Sequence, residues 1–496
     1  MNSLVLDVGT TSMRGALFNE LGEILSFKSV NTPLLMERGY IEQLPGRYVE
    51  GLVNICRTIA SEYPVDAVSV TAFRSAITLV DRNCNPLYNF IIWQDTRNQE
   101  ICERLSHADD EVYRNSGAPI NTVFTATKLL WLKENEPELY RKAYKVMTVP
   151  DYLICLITGE FVTDRTYGSR THLMNIHNLQ WDSALCKLFS LDEEKLCPLI
   201  DQGTVAGTVL EKFSELSGLP SGIPVITAGG DQQCCALGLG VLDDTSLEVN
   251  SGTGAFVISL ADHPMLGNHS VICNVSALRG KYVVESNVIA GASALNWFVR
   301  EFFPEHWGER PDYAAIDRLV ALTPAGAGGL YCVPHYQGCG SRCWNPGAKA
   351  GFWGFTLAST RAEMARSLYE GIAVEIAKSI DALPVSSRTS KRVYAAGGLS
   401  KSSTYNQILS DVLGREIIVY SDPQATSIGA FVSAAVALGL YDEHQSALDR
   451  VRSHGSVVTF TPDLELADLY QDCKHKTERL YRAQADFISV DGKNVG

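Results

Sequence analysis

The sequence predicts an α/β protein made of two similar halves that face each other across a central cleft. Its 496 residues exceed what one hydrophobic core usually holds, so two or three domains are expected. Short β-type runs alternate with segments of helical spacing, which is typical of a layered α/β domain. A strand, a hydroxyl-rich turn and a second strand occur at residues 4–19 and again at residues 246–261. This recurrence indicates an internal duplication.

The first half begins with apolar runs that predict a three-stranded meander. These runs are "SLVLDVG", "RGALFN" and "ILSFKSV". The segment "VEGLVNICRTIASEYP" then has helical spacing, and "VDAVSVTAF" is a further strand. Residues 121–159 are interpreted as helical. The half closes with "IPVITAGGDQQCCALGLGVL", which predicts an apolar strand, a Gly-Gly-Asp turn and a helix of small residues.

The second half repeats this plan. "SLEVNSGTGAFVISLA" is again a strand, a Gly/Thr turn and a strand. "RVYAAGGLSKSSTYNQILSDVLG" has the same order of strand, double glycine and helix as residues 222–240. We therefore expect the domain boundary near residues 240–245, with a first domain of residues 1–241 and a second domain of residues 242–496.

The composition is that of a globular protein and argues against several functional classes. Hydrophobic residues make up 46% of the chain and charged residues 20%, with no disordered or fibrous bias. The net charge of −14 argues against a nucleic-acid-binding surface, since phosphate backbones require clustered Lys and Arg. No apolar run reaches the length of about 18 residues that a membrane span needs, and no secretory signal precedes the first strand. We expect a cytoplasmic protein with neither nucleic acid nor membrane as a partner.

The 13 cysteines are scattered through the chain. Their odd number, in a chain without an export signal, predicts reduced thiols. Cys332, Cys339 and Cys343 lie close to His335 in the sequence, so a zinc site has to be considered. Their spacings include no CxxC pair, and buried or loop thiols are the favoured interpretation.

Nucleotide binding has to rest on the two hairpin turns, because the sequence holds neither a P-loop nor a strand-turn-helix G-x-G-x-x-G motif. In the first turn, Gly9 allows close backbone approach, and Thr10 and Thr11 supply donors to phosphate oxygens. Asp7 could orient a hydrated Mg²⁺, which takes few protein carboxylates. The second turn, "NSGTG", offers the same donors without the acid. Either turn alone could be a simple tight turn, but their matching places favour a triphosphate held from both sides.

Asp231 directly follows two glycines at the start of a predicted helix. An aspartate at this position is commonly only a helix N-cap. It could instead be the general base that takes a proton from a hydroxyl during in-line phosphoryl transfer. Asp7 and Asp231 fit the two carboxylate roles, orientation of a metal and proton acceptance, that such a transfer needs.

Arg74 and Trp93 each follow a predicted strand and could form the wall of a pocket for a polyhydroxylated substrate. Arg74 would bond hydroxyls, and the indole of Trp93 would pack on C–H faces; burial in the core is the alternative for Trp93. In the second half, Gly397 and Gly398 precede a helix and would let a flat base lie against the backbone. A plain strand-to-helix turn is the alternative there.

Taken together, these residues resemble the FGGY family of carbohydrate kinases, whose duplicated fold is actin-like and ribonuclease-H-like. The resemblance covers nearly the whole chain. The matching stretches are, in order, "DVGTTSMR", "GYIEQ", "IIWQDTR", "TKLLWLKEN", "VTDRTYGSRTHLMNI", "AGGDQQCCALGLG", "SGTGAF", "GASALNW", "WNPGAKAGFWGF", "AAGGLSKSSTYNQ" and "QATSIGAFVSAAVALG".

The resemblance implies an enzyme that uses ATP and Mg²⁺ to phosphorylate a hydroxyl of a sugar, polyol or sugar acid. The substrate site would lie in the first domain, and the second domain would complete the ATP site. The resemblance assigns the catalytic base to Asp231 and the metal to Asp7. The nucleotide-binding residues that it implies, from the γ-phosphate to the adenine end, are Thr10, Thr11, Arg14, Gly252, Thr253, Gly291, Gly397, Gly398 and Ser402. Family members are often oligomers, which implies a homodimer or homotetramer.

Within the family the chain is most similar to glycerol kinases, but it departs from them at two substrate positions. Ser75 stands where they carry a glutamate after Arg74, and Val123 stands where they carry a tyrosine. Because such sites depend on these hydrogen bonds and contacts, a ketopentose or a longer polyol is favoured over glycerol, and Arg74 could face the carboxylate of a sugar acid. The retained substrate-binding residues are Arg74, Trp93, Asp231 and Gln232. A glycerol kinase and a non-catalytic actin-like nucleotide-binding protein remain as alternatives.

Overall fold

The computed structural model of the protein describes residues 1–267, 269–308, 311–383, 392–422, 424–453 and 455–489. Within these ranges the chain forms two α/β domains, each built around a mixed β-sheet. This confirms the predicted fold class. Among the described residues, no helix has the length and apolar character needed to cross a bilayer.

The elements of the first domain follow one another as the sequence patterns predict. Its strands are β1 (Ser3–Val8), β2 (Ser12–Phe18), β3 (Ile24–Asn31), β4 (Leu35–Glu37), β5 (Tyr40–Gln43), β6 (Ala67–Ala72), β7 (Thr78–Val80), β8 (Phe90–Ile91), β9 (Lys145–Met147), β10 (Thr163–Asp164), β11 (Leu199–Ile200), β12 (Thr204–Thr208) and β13 (Pro224–Gly230). Its helices are α1 (Pro45–Glu62), α2 (Gln99–Arg104), α3 (Asp109–Ser116), α4 (Thr125–Asn135), α5 (Pro137–Lys142), α6 (Val149–Thr158), α7 (Arg165–Gly168), α8 (Ser183–Leu188), α9 (Glu211–Ser217) and α10 (Asp231–Leu239).

The main sheet of this domain has the strand order β12-β13-β6-β1-β2-β3. Strands β1, β2 and β3 form the predicted antiparallel meander, while β6 runs parallel to both β1 and β13. Parallel strands end at the same edge of a sheet, so the residues that follow β1, β6 and β13 are neighbours. The interpretation of residues 121–159 as helical is wrong at β9, a short apolar run that pairs with β7 between two helices.

The second domain repeats the arrangement of a hairpin followed by a parallel crossover. Its strands are β14 (Ser246–Ser251), β15 (Ala255–Ala261), β16 (Ile272–Val275), β17 (Tyr282–Val288), β18 (Tyr331–Val333), β19 (Gly351–Trp353), β20 (Arg392–Ala396), β21 (Glu416–Tyr420) and β22 (Val457–Phe460). Its helices are α11 (Ala292–Phe302), α12 (Tyr313–Leu322), α13 (Arg361–Asp381), α14 (Ser403–Leu413), α15 (Ala425–Ala437), α16 (His444–Arg452) and α17 (Ala467–Ser489). The main sheet has the order β16-β17-β15-β14-β20-β21-β22.

Helices α10 and α15 join the two domains. They lie in one hydrophobic cluster with side chains from both sheets, such as Val5 and Phe18 of the first and Ile258 and Val283 of the second. Phe18 also stacks on Phe431 of α15, with ring centroids 4.7 Å apart. These contacts hold the two domains together.

Small residues allow these two helices to cross at backbone contact. A Cβ atom on Gly429 would occupy the position of the Cys234 carbonyl oxygen, and one on Gly238 would occupy that of the Ala425 carbonyl oxygen. Because backbone atoms cannot move aside as a side chain can, neither glycine tolerates a larger residue without separation of the helices.

Replacing Gly429 with alanine is therefore expected to lower the free energy of unfolding by about 3 kcal/mol, the upper end of the usual cost of overpacking. Denaturant unfolding of the variant measures this loss. Gly46→Ala is the matched control, because a Cβ there meets nothing within 4 Å. Equal midpoints for the two variants would contradict the close helix crossing.

The prediction of thirteen reduced thiols is wrong for two residues. Cys339 and Cys343 form a disulfide, with their Cα atoms 5.9 Å apart, because the turn between them is closed by a hydrogen bond from the Trp344 amide to the Gly340 carbonyl (2.8 Å). The other cysteines are buried and free. His335 lies 3.3 Å from Glu375, and across the described ranges no group of three or more His, Cys, Asp or Glu side chains has a metal-binding arrangement.

Candidate active site

The edge of the first sheet brings Arg74 and Asp231 together. Arg74 lies two residues beyond β6, and Asp231 is the first residue of α10, directly after β13. The Arg74 Nε atom is 3.6 Å from Asp231 Oδ1. The Asp231 side chain is 21% exposed, whereas that of Arg74 is 6% exposed. A molecule in the cleft therefore reaches the carboxylate of Asp231 more easily than the guanidinium behind it.

Glu285, from the middle of β17 in the second domain, completes this cluster. Its Oε2 accepts a hydrogen bond from Arg74 Nη1 (2.8 Å), and its Oε1 accepts one from Arg170 Nη1 (2.8 Å). Glu285 is 2% exposed. Sequence reasoning gave neither Glu285 nor Arg170 a role. The signal that could have found Glu285 is a single carboxylate in the middle of the predicted strand "YVVESNV".

Burial and opposite charges act against each other throughout this cluster. Burial raises the pKa of Asp231, and the nearby Arg74 guanidinium offsets part of that rise. Burial would also raise the pKa of Glu285, but Arg74 and Arg170 outweigh it and hold the pKa below its usual value. Burial lowers the pKa of Arg170 to about 10. At neutral pH, Glu285 and both arginines are therefore charged, and Asp231 is the carboxyl whose proton affinity is increased.

Asp7 lies at the end of β1, beside the same edge. It is 3% exposed, and its Oδ2 accepts a hydrogen bond from Arg14 Nη1 at 3.2 Å. Burial raises its pKa to about 6; Arg14 lowers that pKa, and the negative charge of Asp231 raises it. Asp7 and Asp231 are thus close enough to share one electrostatic environment, which a cation between them would stabilise.

The first hairpin turn holds Thr10 and Thr11. The turn is closed by a hydrogen bond from the Gly9 amide to the Ser12 carbonyl (2.8 Å), and the Thr11 side chain is exposed. The indole Nε1 of Trp93 donates to Thr10 Oγ1 at 3.1 Å. Trp93 is half-buried and packs against the core of the first domain, and its contact with a substrate stays a prediction.

The second hairpin turn anchors the start of α11. The amides of Gly291 and Ser293 donate to the Thr253 carbonyl (2.9 and 3.1 Å), and the Ala292 amide donates to the Gly252 carbonyl (2.9 Å). A Cβ on Gly291 would lie 3.0 Å from the backbone of Gly254, whereas one on Gly252 would meet nothing closer than 3.9 Å. The outer side of Gly252 is therefore open to a ligand.

Residues at the start of the crossover after β20 continue this surface. Gly397 has a φ of +90°, and a Cβ there would lie 2.5 Å from the Ser251 backbone, so only glycine fits without strain. Asn250 connects this turn to the first domain, because its Nδ2 donates to Gln232 Oε1 at 3.3 Å. The hairpin of the second domain thus reaches the residue that follows Asp231.

Gly398 and Ser402 lie farther along the same crossover. A Cβ on Gly398 would meet nothing within 4 Å, so its backbone face is open. Ser402 is the N-cap of α14, and its Oγ accepts a hydrogen bond from the Tyr405 amide at 3.0 Å. This cap role explains a serine at that position. Contact of either residue with an adenine remains a prediction.

Ser75 follows Arg74 in a left-handed conformation, with a φ of +61°. It is 2% exposed, and its Oγ accepts a hydrogen bond from Arg170 Nε at 3.4 Å. The structure therefore places Ser75 directly against the charged cluster. A short side chain at this position leaves Arg170 bound to Glu285.

Val123 lies in a small apolar cluster apart from the charged side chains. It is half-buried and packs with Trp344 of the second domain on a small cluster around Phe124. Its carbonyl accepts a hydrogen bond from Lys128 Nζ at 2.7 Å. The connection to the charged cluster runs through Phe124, whose ring lies 4.6 Å from the guanidinium carbon of Arg170.

This arrangement fits a nucleoside triphosphate and a divalent cation. Two hydroxyl-bearing turns, one in each domain, have exposed or open faces at Thr11 and Gly252, and such turns present amide donors to phosphate oxygens. Asp7 supplies oxygen atoms of the kind that a hydrated Mg²⁺ prefers. The partly exposed carboxylate of Asp231 could accept a proton from a hydroxyl group.

Family models match most of the chain. The model of the N-terminal domain of the FGGY family of carbohydrate kinases matches residues 3–238, and the model of the C-terminal domain matches residues 247–438. The chain belongs to this family. It is therefore an ATP-dependent carbohydrate kinase, a phosphotransferase that acts on an alcohol group.

Relatives of this FGGY kinase include proteins with three different acceptors in their names. A gluconokinase of Bacillus subtilis is 24% identical, with 94% of this chain and 93% of the relative covered. A xylulose kinase of Staphylococcus epidermidis is 27% identical, with 98% of both covered. A glycerol kinase of Alkalilimnicola ehrlichii is 29% identical, with 94% and 95% covered.

Solved structures show the same fold. A ligand-bound xylulose kinase of Lactobacillus acidophilus superposes with a TM-score of 0.91 at 23% identity, covering 97% of this chain and 98% of that one. The Plasmodium falciparum glycerol kinase with ADP superposes with a TM-score of 0.88 at 24% identity, covering 97% and 98%. At these identities the acceptor of this FGGY kinase has to be argued from its own residues.

Proposed function

We propose that this FGGY kinase transfers the γ-phosphoryl group of ATP to a hydroxyl of a ketopentose or a polyol larger than glycerol. The observation that carries the proposal is the pairing of Asp231 with Arg74 at the sheet edge, 3.6 Å apart. Asp231 is partly exposed, has a raised pKa and lies between the two phosphate-binding turns. These are the properties expected of a general base in phosphoryl transfer.

Asp231 takes the proton of the attacking hydroxyl as the hydroxyl oxygen bonds to the γ-phosphorus of ATP and the bond from that phosphorus to the ADP oxygen breaks, so that ADP leaves. Arg74 orients the Asp231 carboxylate, and its own position is fixed by Glu285 at 2.8 Å. Thr10, Thr11, Gly252 and Thr253 hold the phosphates from the two domains. Closure of the domains excludes water that would otherwise compete with the acceptor hydroxyl.

Asp7 is the residue proposed to hold Mg²⁺, through its bound waters. A bound Mg²⁺ supplies charge neutralisation on the transferred phosphoryl group. Arg14 keeps the Asp7 carboxylate oriented by a hydrogen bond at 3.2 Å. At the other end of the nucleotide, Gly397 and Gly398 provide backbone without side chains against which adenine would lie, with Ser402 nearby.

The preference over glycerol rests on Ser75 and Val123. Ser75 has no carboxylate that could accept hydrogen bonds from a small triol, and its hydroxyl accepts one from Arg170 instead. Val123 leaves more volume beside Phe124 than an aromatic residue would. A longer polyhydroxylated chain fills this space and buries more of its own surface.

Coupled release of ADP tests the proposal with Mg·ATP against a panel of polyols and 2-ketoses, with glycerol included. We expect the highest kcat/KM with a compound of five or more carbons. Glycerol as the best acceptor would contradict the argument from Ser75 and Val123. Binding of ATP without turnover of any acceptor would favour the non-catalytic, actin-like alternative.

Val123→Tyr provides a direct test of the pocket size. The larger side chain should lower kcat/KM for the best five-carbon acceptor relative to glycerol by about tenfold, since differences of one to a few methylenes change discrimination by that order. Val205→Tyr is the control, because Val205 is 48% exposed on strand β12. An unchanged ratio in Val123→Tyr would place Val123 outside the acceptor pocket.

A further inference from the structure

The side chain of Glu285 connects the two domains. Its carboxylate comes from the second domain, yet both of its oxygens bond guanidinium groups of the first domain at 2.8 Å. The three side chains are almost fully buried, with 6% exposure for each arginine and 2% for the glutamate. Burying charges costs much free energy unless each is paired, so the pairing has to be complete.

Carboxylates of the protein itself balance the positive charge of both guanidinium groups in this cluster. Arg74 binds Glu285 and lies 3.6 Å from Asp231. Arg170 binds Glu285 and also donates to Ser75 Oγ and to Asn274 Oδ1, each at 3.4 Å. Two guanidinium groups thus face two carboxylates. The formal charge of the cluster is zero when all four groups are ionised.

A carboxylate on the acceptor would disturb this balance. It would bring a third negative group beside Asp231 and Glu285, where the charges of both guanidinium groups are already balanced by carboxylates of the protein. Like charges in a buried site repel strongly, because the effective dielectric constant there is low. A neutral hydroxymethyl group in the same place meets no such repulsion.

We propose that Glu285 determines the charge specificity of the acceptor site, selecting neutral sugars and polyols against sugar acids by neutralising Arg74 and Arg170. The proposal rests on the proposed kinase function and deepens it. It replaces the expectation that Arg74 faces a substrate carboxylate, because Arg74 is bound to carboxylates of the protein. Glu285 is also a positioning residue, because it holds Arg74 against Asp231.

The first measurement uses the native enzyme with two acceptors that differ only in charge, an alditol and the aldonate of the same carbon chain. We expect kcat/KM for the alditol to exceed that for the aldonate by at least 10²-fold. Equal turnover would overturn the role of Glu285 and leave the kinase assignment in place. No turnover of any sugar, polyol or aldonate would count against the kinase assignment and the role of Glu285 together.

The second measurement uses Glu285→Gln. The amide keeps the shape of the side chain but leaves two guanidinium groups with one carboxylate partner. We expect the alditol-to-aldonate ratio of kcat/KM to fall at least tenfold, with binding of the aldonate improved. A ratio that stays at the native value would overturn the proposal.

Two further variants separate this effect from a loss of structure. In Glu285→Gln combined with Arg170→Met, one guanidinium again faces one carboxylate, so discrimination against the aldonate should return. Glu375→Gln is the matched control, because Glu375 is 3% exposed and binds Lys378 at 2.7 Å and Arg342 at 3.4 Å in the second domain. Glu375→Gln should lower the stability of the protein without changing the alditol-to-aldonate ratio of kcat/KM. A changed ratio would overturn the proposal, because it would show that the loss of any buried carboxylate alters the specificity.

Discussion

Replacing Asp231 with asparagine should lower kcat by about 10²–10⁴, the range usually lost with a general base. The amide keeps the size and the acceptor oxygen of the side chain but cannot take a proton from the acceptor hydroxyl. The Gln232 amide can still donate to that oxygen, as it does to Asp231 Oδ1 at 2.8 Å, so the position of the side chain is retained. Binding of ATP and of the sugar should therefore change much less than kcat.

If Asp231 served only as a helix N-cap, Asp231→Asn would have a different effect. In the structure Gly230 occupies the N-cap position of α10, and Asp231 is the first helical residue, with its Oδ1 accepting from the Gln232 amide at 2.8 Å. A pure capping role would lower the melting temperature and leave kcat nearly intact. Asp243→Asn is the matched control, because Asp243 Oδ1 also accepts an amide hydrogen bond, from Thr245 at 2.8 Å, but outside the site.

The pH dependence of the native enzyme tests the same assignment. Burial raises the pKa of Asp231 and Arg74 lowers it, with a net rise. Because the base must be ionised to accept a proton, kcat/KM should fall as the pH decreases through a pKa above about 4, the ordinary value for aspartate. A profile that is flat down to pH 4 would contradict the assignment. The other charged or titratable groups that act on Asp231 are Asp7, Tyr167, Arg170, Cys234, Cys235, Glu248 and Glu285.

Local patterns predicted the parts of this site that depend on local structure. The hydroxyl-rich hairpin turns and the aspartate after two glycines are properties of a few consecutive residues. Strand periodicity placed β1, β6 and β13, and the parallel pairing of these strands brings Asp7, Arg74 and Asp231 to one edge. The double glycine at residues 397–398 was predictable for the same reason, since only glycine adopts the turn that Gly397 makes.

The residues that the sequence did not predict depend on contacts between distant segments. Glu285 and Arg170 acquire their roles only when β17 of one domain meets the loop after α7 of the other, a separation of 115 residues. The residues next to Arg74 in the sequence do not indicate that its guanidinium group pairs with carboxylates of the protein. The disulfide between Cys339 and Cys343 was missed for another reason, because redox state was inferred from the whole chain rather than from the turn that joins them.

Replacing Asp7 with asparagine should lower kcat by about 10²-fold, the upper end of the loss expected for a group that holds a metal through its waters. The amide preserves the hydrogen-bond acceptor for Arg14 but removes the negative charge that attracts the cation. The apparent affinity for Mg²⁺ should fall with kcat, and KM for the sugar should change little. Titration of activity with Mg²⁺ at saturating ATP measures this separation.

If Asp7 has only a structural role, Asp7→Asn should change the stability of the protein and not its dependence on Mg²⁺. Asp7 is 3% exposed, so loss of its charge pairing with Arg14 alone would lower the melting temperature and leave the Mg²⁺ titration unchanged. Asp151→Asn is the matched control, because Asp151 is 2% exposed and its carboxylate binds the Thr148 amide (2.9 Å) and the Thr163 hydroxyl (2.8 Å). A shifted Mg²⁺ dependence in Asp7→Asn and an unshifted one in Asp151→Asn would assign the metal to the first hairpin. Activity would then need one carboxylate for the cation and another, Asp231, for the proton.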